Sequence, residues 1–348
     1  MTKRIALIAG GSGIIGRALL HELSQASGWQ VRGLSRSPID GAETITVDLR
    51  DERATADALQ AAADTTHLFY AAYAAQPDLA AEVLVNGPML ENVLRGLQRA
   101  GAPVERVVLY QGGKVYGVHL GQVRAPFYED ETPRHLGPNF YYTHEETLRR
   151  HAESAGFGWS ILRPDVVVGD VVGYPMNIAL VIGVYAAISK ATGTALRFPG
   201  PDEVYNGTFA QVTDAHLLGR ASLWAASAEA ARNQAFNYVH EPFRWCRVFA
   251  RVANALDMEL GPPMPMSLAR HMTFQGEIWG DLVRAYGLRQ TPYEQLVGWP
   301  FGDFVFNTRF DMISDMTKIR RAGFNETIDS AEAIVNAIGR LRAHKVLP

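Results

Sequence analysis

Cysteine is almost missing from this chain of 348 residues. Cys246 stands alone, so no disulfide can close within it, and no CxxC or Cys/His cluster suggests a metal site. Charge is modest as well: 20% of residues are charged and the formal net charge is −3. That balance offers neither nucleic acid nor an anionic membrane a basic field. Long apolar runs are absent too. The longest, Met176 to Ser189, falls short of the ~20 residues that a membrane span needs. The first residues enter an apolar strand pattern directly, without the progression of a signal peptide. No internal repeat or low-complexity segment is present. These shortages predict a soluble cytoplasmic protein that binds neither nucleic acid, membrane nor metal. The 47% of apolar residues suffices for one large core with an appended lobe, or for two domains.

What the chain does have begins at once. Arg4 to Ala9 is an apolar run with the look of a buried strand, and Arg17-Ala-Leu-Leu-His-Glu-Leu has helical periodicity. Between them lies Gly10-Gly-Ser-Gly13-Ile14-Ile15-Gly16. Gly10 lets the chain turn out of the strand, Gly13 lets a pyrophosphate approach the backbone, and Gly16 lets the helix pack close to the sheet. The helix N-terminus then offers N–H groups and partial positive charge to phosphates. A glycine motif alone says little, but strand before and helix after are the context it requires. The spacing is that of short-chain dehydrogenases.

Further strands are expected at Gln30–Ser35, Thr44–Leu49, Thr66–Ala72, Val104–Tyr110, Trp159–Arg163 and Ala235–Val239, with helices between them. This alternation predicts an α/β fold: a Rossmann-type, doubly wound parallel sheet with a smaller, mostly helical C-terminal substrate lobe. Residues 1–170 form the NADP(H)-binding domain, joined by a returning segment at about 211–245, while 171–210 and 246–348 form the lobe. The strand-two end meets the adenosine ribose, where a carboxylate favours NAD and a cation NADP. Ser35, Arg36 and Ser37 stand there, so NADPH is the expected cofactor. Asp48 and Leu49 flank the adenine; Asp48 reads equally as adenine acceptor or as turn former. Ala71 and Ala72 let the cofactor lie across strand four. Gln111 at the end of strand five, and Pro164, Val166 and Val167 after strand six, complete the cofactor set.

The catalytic signature of ordinary short-chain dehydrogenases is missing. YxxxK places a tyrosine and a lysine on one helix face. Here Tyr141 and Tyr142 open a helix pattern, but Glu145 and Glu146 occupy the lysine positions. The Ser-Ser pair that precedes Val-Tyr-Gly in enzymes of nucleotide sugars is replaced by Gln111-Gly112-Gly113, and Lys114 follows. A lysine at the strand end could supply the missing charge and favour an ionised or strongly hydrogen-bonding tyrosine. His144, one turn into the helix, reads as a surface residue, and Asp165 as a turn residue.

Several motifs taken together resemble the progesterone 5β-reductase/iridoid synthase family. They are Gly-x-Lys114-x-Tyr, Asn139-Phe-Tyr141-Tyr142, Trp159-Ser-Ile-Leu-Arg-Pro164, Val184-Tyr-Ala-Ala-Ile, Leu196-Arg-Phe-Pro-Gly and His344-Lys-Val-Leu-Pro. The resemblance runs from the glycine loop to Pro348. It implies an NADPH-dependent reductase of enones with Tyr141 and Lys114 as catalytic pair. A donor at the carbonyl oxygen is what conjugate hydride addition needs. Tyr142 then packs away from the site, although the sequence leaves open a swap of the two tyrosines. Val118-His119-Leu120 replaces the family's Gly-Pro-Phe, and the loop between strands two and three is short, which puts the substrate in question. The aromatic, cation-poor lobe suggests an apolar carbonyl compound. Two alternatives stand beside this reading: a sugar-nucleotide epimerase or carbonyl reductase of the extended type, and an NADP(H)-sensing regulator without turnover. The apolar helix near Val184 is a candidate face for a homodimer.

Overall fold

The computed structural model describes residues 4–348. In the first part of the chain, strands and helices alternate: β1 (Arg4–Ala9), α1 (Ile14–Gln25), β2 (Trp29–Ser35), β3 (Thr44–Thr46), α2 (Glu52–Ala58), β4 (His67–Tyr70), α3 (Leu79–Arg99) and β5 (Arg106–Tyr110). Then follow α4 (Phe140–Ala155), β6 (Gly158–Arg163), β7 (Val167–Val168), α5 (Ile178–Ala191), β8 (Thr213–Asp214), α6 (Ala215–Ser227), β9 (Gln234–Asn237) and α7 (Trp245–Ala255). The rest is helical: α8 (Leu268–His271), α9 (Gly276–Tyr286), α10 (Tyr293–Leu296), α11 (Trp299–Phe306), α12 (Thr317–Arg321) and α13 (Ser330–Ala343).

Seven strands form one parallel sheet in the order β3-β2-β1-β4-β5-β6-β9, while β7 and β8 pair separately. Side chains alternate across a strand, so each sheet face needs its own cover. Ala6 and Ile8 of β1 and Val108 of β5 point to the face covered by α1 and α6, against Leu19, Leu23, Leu217 and Ala221. Leu7, Ala9, Val107 and Leu109 point to the other face, against Leu90, Val93 and Leu97 of α3 and Leu148 of α4. The strand order reverses between β1 and β4. A crevice therefore opens at the carboxyl ends of the strands, where such sheets bind ligands.

The lobe has its own core, in which α5 is almost wholly buried among α7, α9, α11 and α13. Val184 is fully covered by this chain itself, so the face expected to meet a twin is already occupied. One segment departs from the expected division. Met316, Ile319 and Phe324 pack back onto the sheet, in the core cluster of Phe236 in β9. Other expectations differ in detail. The expected third strand pairs only over Thr44–Thr46, because Asp48 turns the chain out of the sheet and Arg50 holds it there. Past Ala58, α2 tightens into a 3-10 turn over Leu59–Ala62. The long segment after Gly112 is ordered. It winds through two 3-10 turns, and Phe127 pairs by backbone with Ile313 and Asp315.

Candidate active site

The glycine loop is built for close approach. Gly10 has φ +80°, and a Cβ there would lie 2.7 Å from the Ala71–Ala72 peptide, so the loop sits directly on the end of β4. At Gly16 a Cβ would come within 2.2 Å of the Gly10 carbonyl. The third glycine thus presses the helix onto the loop itself, where packing against the sheet was expected. Gly13 caps α1 and has only the Gly10 carbonyl nearby, which leaves the cradle open outward. Ile14 is buried, whereas Ile15 reaches the central cavity.

At the end of β2, Ser35 is buried and bonds to Ser12, while Arg36 and Ser37 are exposed. Asp48 accepts from the guanidinium and backbone of Arg50, and these bonds, with Arg36 adding charge, hold its carboxyl down at about 2. The turn-forming reading of Asp48 therefore describes this structure. Leu49 is buried, and its carbonyl accepts from Asn92. Arg17 of α1 brings a second guanidinium to this end, bonded to the Asp40 carbonyl at 3.1 Å. Nothing in the sequence pattern singled it out.

A cavity of about 390 Å³ lies at the strand ends. It is lined by Ile15 of the glycine loop with Ala71, Ala72, Pro164, Val166 and Val167 from the strand ends, and by Met176, Phe209, Phe301, Phe304 and Met312 from later in the chain. Tyr141 lines the same cavity. Asn139 positions it: the Asn139 side chain accepts from the Tyr141 N–H at 3.0 Å and donates to the Lys114 carbonyl at 2.8 Å. The cap that starts α4 thus ties the tyrosine to the β5 loop. Gln111 is 2% exposed, and its amide bonds to Arg163 and to the Tyr141 carbonyl. Its amide nitrogen thus holds the Tyr141 backbone, and its oxygen accepts from Arg163. The Tyr141 hydroxyl lies 3.3 Å from where a Cβ of Gly112 would be. Among the described residues it has no hydrogen-bond partner. Burial first, then Tyr174, Tyr73, Glu82 and Asp165, push its phenol well above the usual range, so it is a protonated donor.

Lys114 corrects the expectation for its charge. Its Nζ bonds both carboxylate oxygens of Glu82 at 2.9 Å. Glu82, buried on α3, also accepts from the Tyr73 hydroxyl. The lysine lines the cavity, but its charge is balanced by Glu82, and the effect of Glu82 on Tyr141 opposes ionisation. Tyr142 packs away, donating to the Val115 carbonyl at 2.8 Å within a cluster that includes Tyr116 and Phe127. Glu145 turns toward Arg134 and Arg149, away from the tyrosine.

His144 is not a surface residue. It is 1% exposed, stacks edge-on with Tyr70 and Phe140, and meets the Asn86 carbonyl at 2.7 Å. Burial lowers it to about 4, so it is neutral. His119 lines the cavity with both ring nitrogens buried and unpartnered. Asp165 also faces the cavity, and burial pushes its carboxyl up to about 6. Val166 beside it has φ +36°, an outlier for a β-branched residue. Outside the cavity, His21, Glu22 and His216 bring ligand-capable atoms within 4.8 Å of one another between α1 and α6.

A family model described as a PRISE-like Rossmann-fold domain matches residues 43–348. The chain belongs to the PRISE family. Among PRISE relatives, an (S)-8-oxocitronellyl enol synthase of Camptotheca acuminata is 32% identical, over 99% of this chain and 94% of its own. A 3-oxo-Delta(4,5)-steroid 5-beta-reductase of Arabidopsis thaliana is 29% identical with the same coverage. A short chain dehydrogenase of Penicillium aethiopicum is 27% identical over 99% of each chain. The PRISE resemblance carried by the motifs is thereby borne out along nearly the whole chain. Solved structures share the fold at lower identity. A UDP-glucose 4-epimerase of Thermotoga maritima superposes with a TM-score of 0.69 at 17% identity, over 97% of this chain and 99% of its own. The corresponding enzyme of Thermus thermophilus gives 0.65 at 18%, with the same coverage. No helix among the described residues is long and apolar enough to cross a membrane.

Proposed function

We propose that this protein reduces the C=C bond of α,β-unsaturated carbonyl compounds with NADPH. The observation that carries the reading is the Tyr141 hydroxyl: a protonated phenol without a protein partner among the described residues, at the strand ends of a PRISE fold, in a cavity whose lining from later in the chain is mainly apolar. Relatives named as a steroid 5-beta-reductase and as enol synthases support it.

The glycine loop with the α1 N-terminus suits a pyrophosphate. Arg36 and Arg17, with Ser35 and Ser37, suit a ribose 2′-phosphate, and Asp48 is withdrawn by Arg50. Ala71 and Ala72 border the path across β4, and Pro164, Val166 and Val167 offer backbone groups to a carboxamide. When bound, NADPH supplies the hydride. Tyr141 then donates to the carbonyl oxygen, where negative charge grows as the β-carbon takes the hydride. Lys114 and Glu82 hold that wall of the cavity rigid, with Tyr73 tied to the same carboxylate. Water protonates the α-carbon.

Lys114 is the only Lys or Arg in the described lining, and it is already paired. Nothing there holds the diphosphate of a nucleotide sugar, so the substrate is an apolar carbonyl compound. The test is turnover of an enone panel, from cyclohexenone to a Δ4-3-ketosteroid, with NADPH and NADH and with product analysis. Saturated ketones formed faster with NADPH support the proposal. Allylic alcohols, or faster turnover of a nucleotide sugar, overturn it.

A further inference from the structure

We propose that the carboxylic acid of Asp165 is a second hydrogen-bond donor to the substrate oxygen, forming with Tyr141 a two-donor oxyanion hole above Gly112 and Gly113. This inference rests on the enone-reductase reading and adds a catalytic group to it.

Two consecutive glycines make the arrangement. A Cβ on Gly112 would lie 3.3 Å from the Tyr141 hydroxyl, and one on Gly113 would lie 3.4 Å from Asp165 Oδ1. The phenol and the carboxyl thus border the same short stretch of backbone and line the same cavity, and the charge of the acid is felt at the phenol. Val118 and Met312 are the other neighbours of that second point, so apolar side chains close this side of the acid's approach. Oδ1 accepts the Val166 N–H at 3.0 Å, and among the described residues Oδ2 has no partner. The positive φ of Val166 is strain that persists only where the surroundings impose it, and such strain clusters at working sites.

The protonation state follows from this setting. Burial already lifts the acid to about 6. The charged and titratable groups sharing the cavity wall are Tyr70, Tyr73, Tyr110, Lys114, His119, Tyr141, His144 and Tyr174. The tyrosines are neutral, burial favours neutral histidines, and Glu82 balances Lys114. A bound enone displaces the remaining water and favours the neutral acid further. A carboxylic acid kept neutral in an apolar site is a strong donor, whereas its carboxylate would repel an enolate. Hydride adds to the β-carbon, the C=C pair moves between the α- and carbonyl carbons, and the carbonyl pair moves onto oxygen. Both donors keep their protons. Water then protonates the α-carbon, and the carbonyl reforms.

The experiment measures kcat and KM for cyclohexenone from pH 5 to 8 at saturating NADPH, for wild type, Asp165→Asn and Asp165→Ala. NADPH affinity is followed separately by fluorescence titration. Wild-type kcat should fall tenfold per unit above the apparent pKa of the acid. Asn donates at every pH, so Asp165→Asn should lose that limb and stay within about tenfold of wild type at pH 6. Asp165→Ala should be flat and roughly 100-fold slower. NADPH affinity should be unchanged in Asp165→Asn, whose pH profile decides the question if Asp165→Ala fails to bind cofactor. A limb retained in Asp165→Asn, or a folded Asp165→Ala within threefold of wild type, overturns the assignment and leaves enone reduction intact. A wild type that reduces no enone overturns both.

Discussion

Replacing Tyr141 by Phe removes one oxygen atom and little else. The hydroxyl has no partner among the described residues, so its loss strands no buried donor or acceptor. The ring keeps its packing on Phe140, at 4.4 Å between centroids. Stability should therefore stay within about 0.5 kcal/mol of wild type. Catalysis should not. Removing one preorganised donor from a developing oxyanion costs about 10²–10³ in rate, or roughly 3–4 kcal/mol. Tyr142→Phe is the paired control. Its hydroxyl donates to a buried carbonyl at 2.8 Å, so its loss should cost about 0.5–1.5 kcal/mol of stability and leave kcat within threefold. Steady-state NADPH oxidation with cyclohexenone, NADPH titration and urea unfolding read all three quantities. If Tyr141→Phe keeps a third of wild-type kcat, or if Tyr142→Phe loses the rate instead, the reasoning from cavity geometry is wrong.

Arg36→Glu should weaken NADPH at least tenfold and leave NADH little changed, as isothermal titration with each cofactor would show. Glu82→Ala leaves the Lys114 ammonium without its partner and should destabilise by roughly 1–3 kcal/mol, with the lysine a third exposed. In a double-mutant cycle with Lys114→Met, the two losses should be clearly less than additive by urea unfolding. Buried and neutral, His67, His144 and His240 are each lowered to about 4. The unfolded chain binds their protons first, so stability present above pH 6.5 is lost as the pH falls toward 4. Asp165, raised to about 6, acts in the opposite sense over about pH 6 to 4. The three histidines outweigh it, and His144→Asn should flatten the acid limb of urea-unfolding free energy against pH.

Much of this was legible in residue order. Apolar runs alternating with helical patterns located the sheet, and Gly10 to Gly16 located the cradle, because those signals are local. The tyrosine pair was legible as well, since Asn139 caps the helix that carries it. What escaped was set by distant partners. Glu82 lies 32 residues from Lys114 and is brought to it only when α3 packs beside β5. His144 has a helical position open to either surface or core, and the α3–α4 contact decides for core. Arg17 looked like an ordinary helix residue until the loop after β2 folded over it. Asp165 looked like a turn former, because no local pattern reveals that Gly113 leaves room for its carboxyl in the cavity.

The most direct test of the central claim is to follow the hydride. Cyclohexenone would be reduced with NADPH carrying deuterium at nicotinamide C4, on the transferred face, and the product analysed by NMR. Deuterium at the β-carbon of a saturated ketone is the predicted result. Deuterium at a carbinol carbon, with the C=C bond intact, would contradict the account.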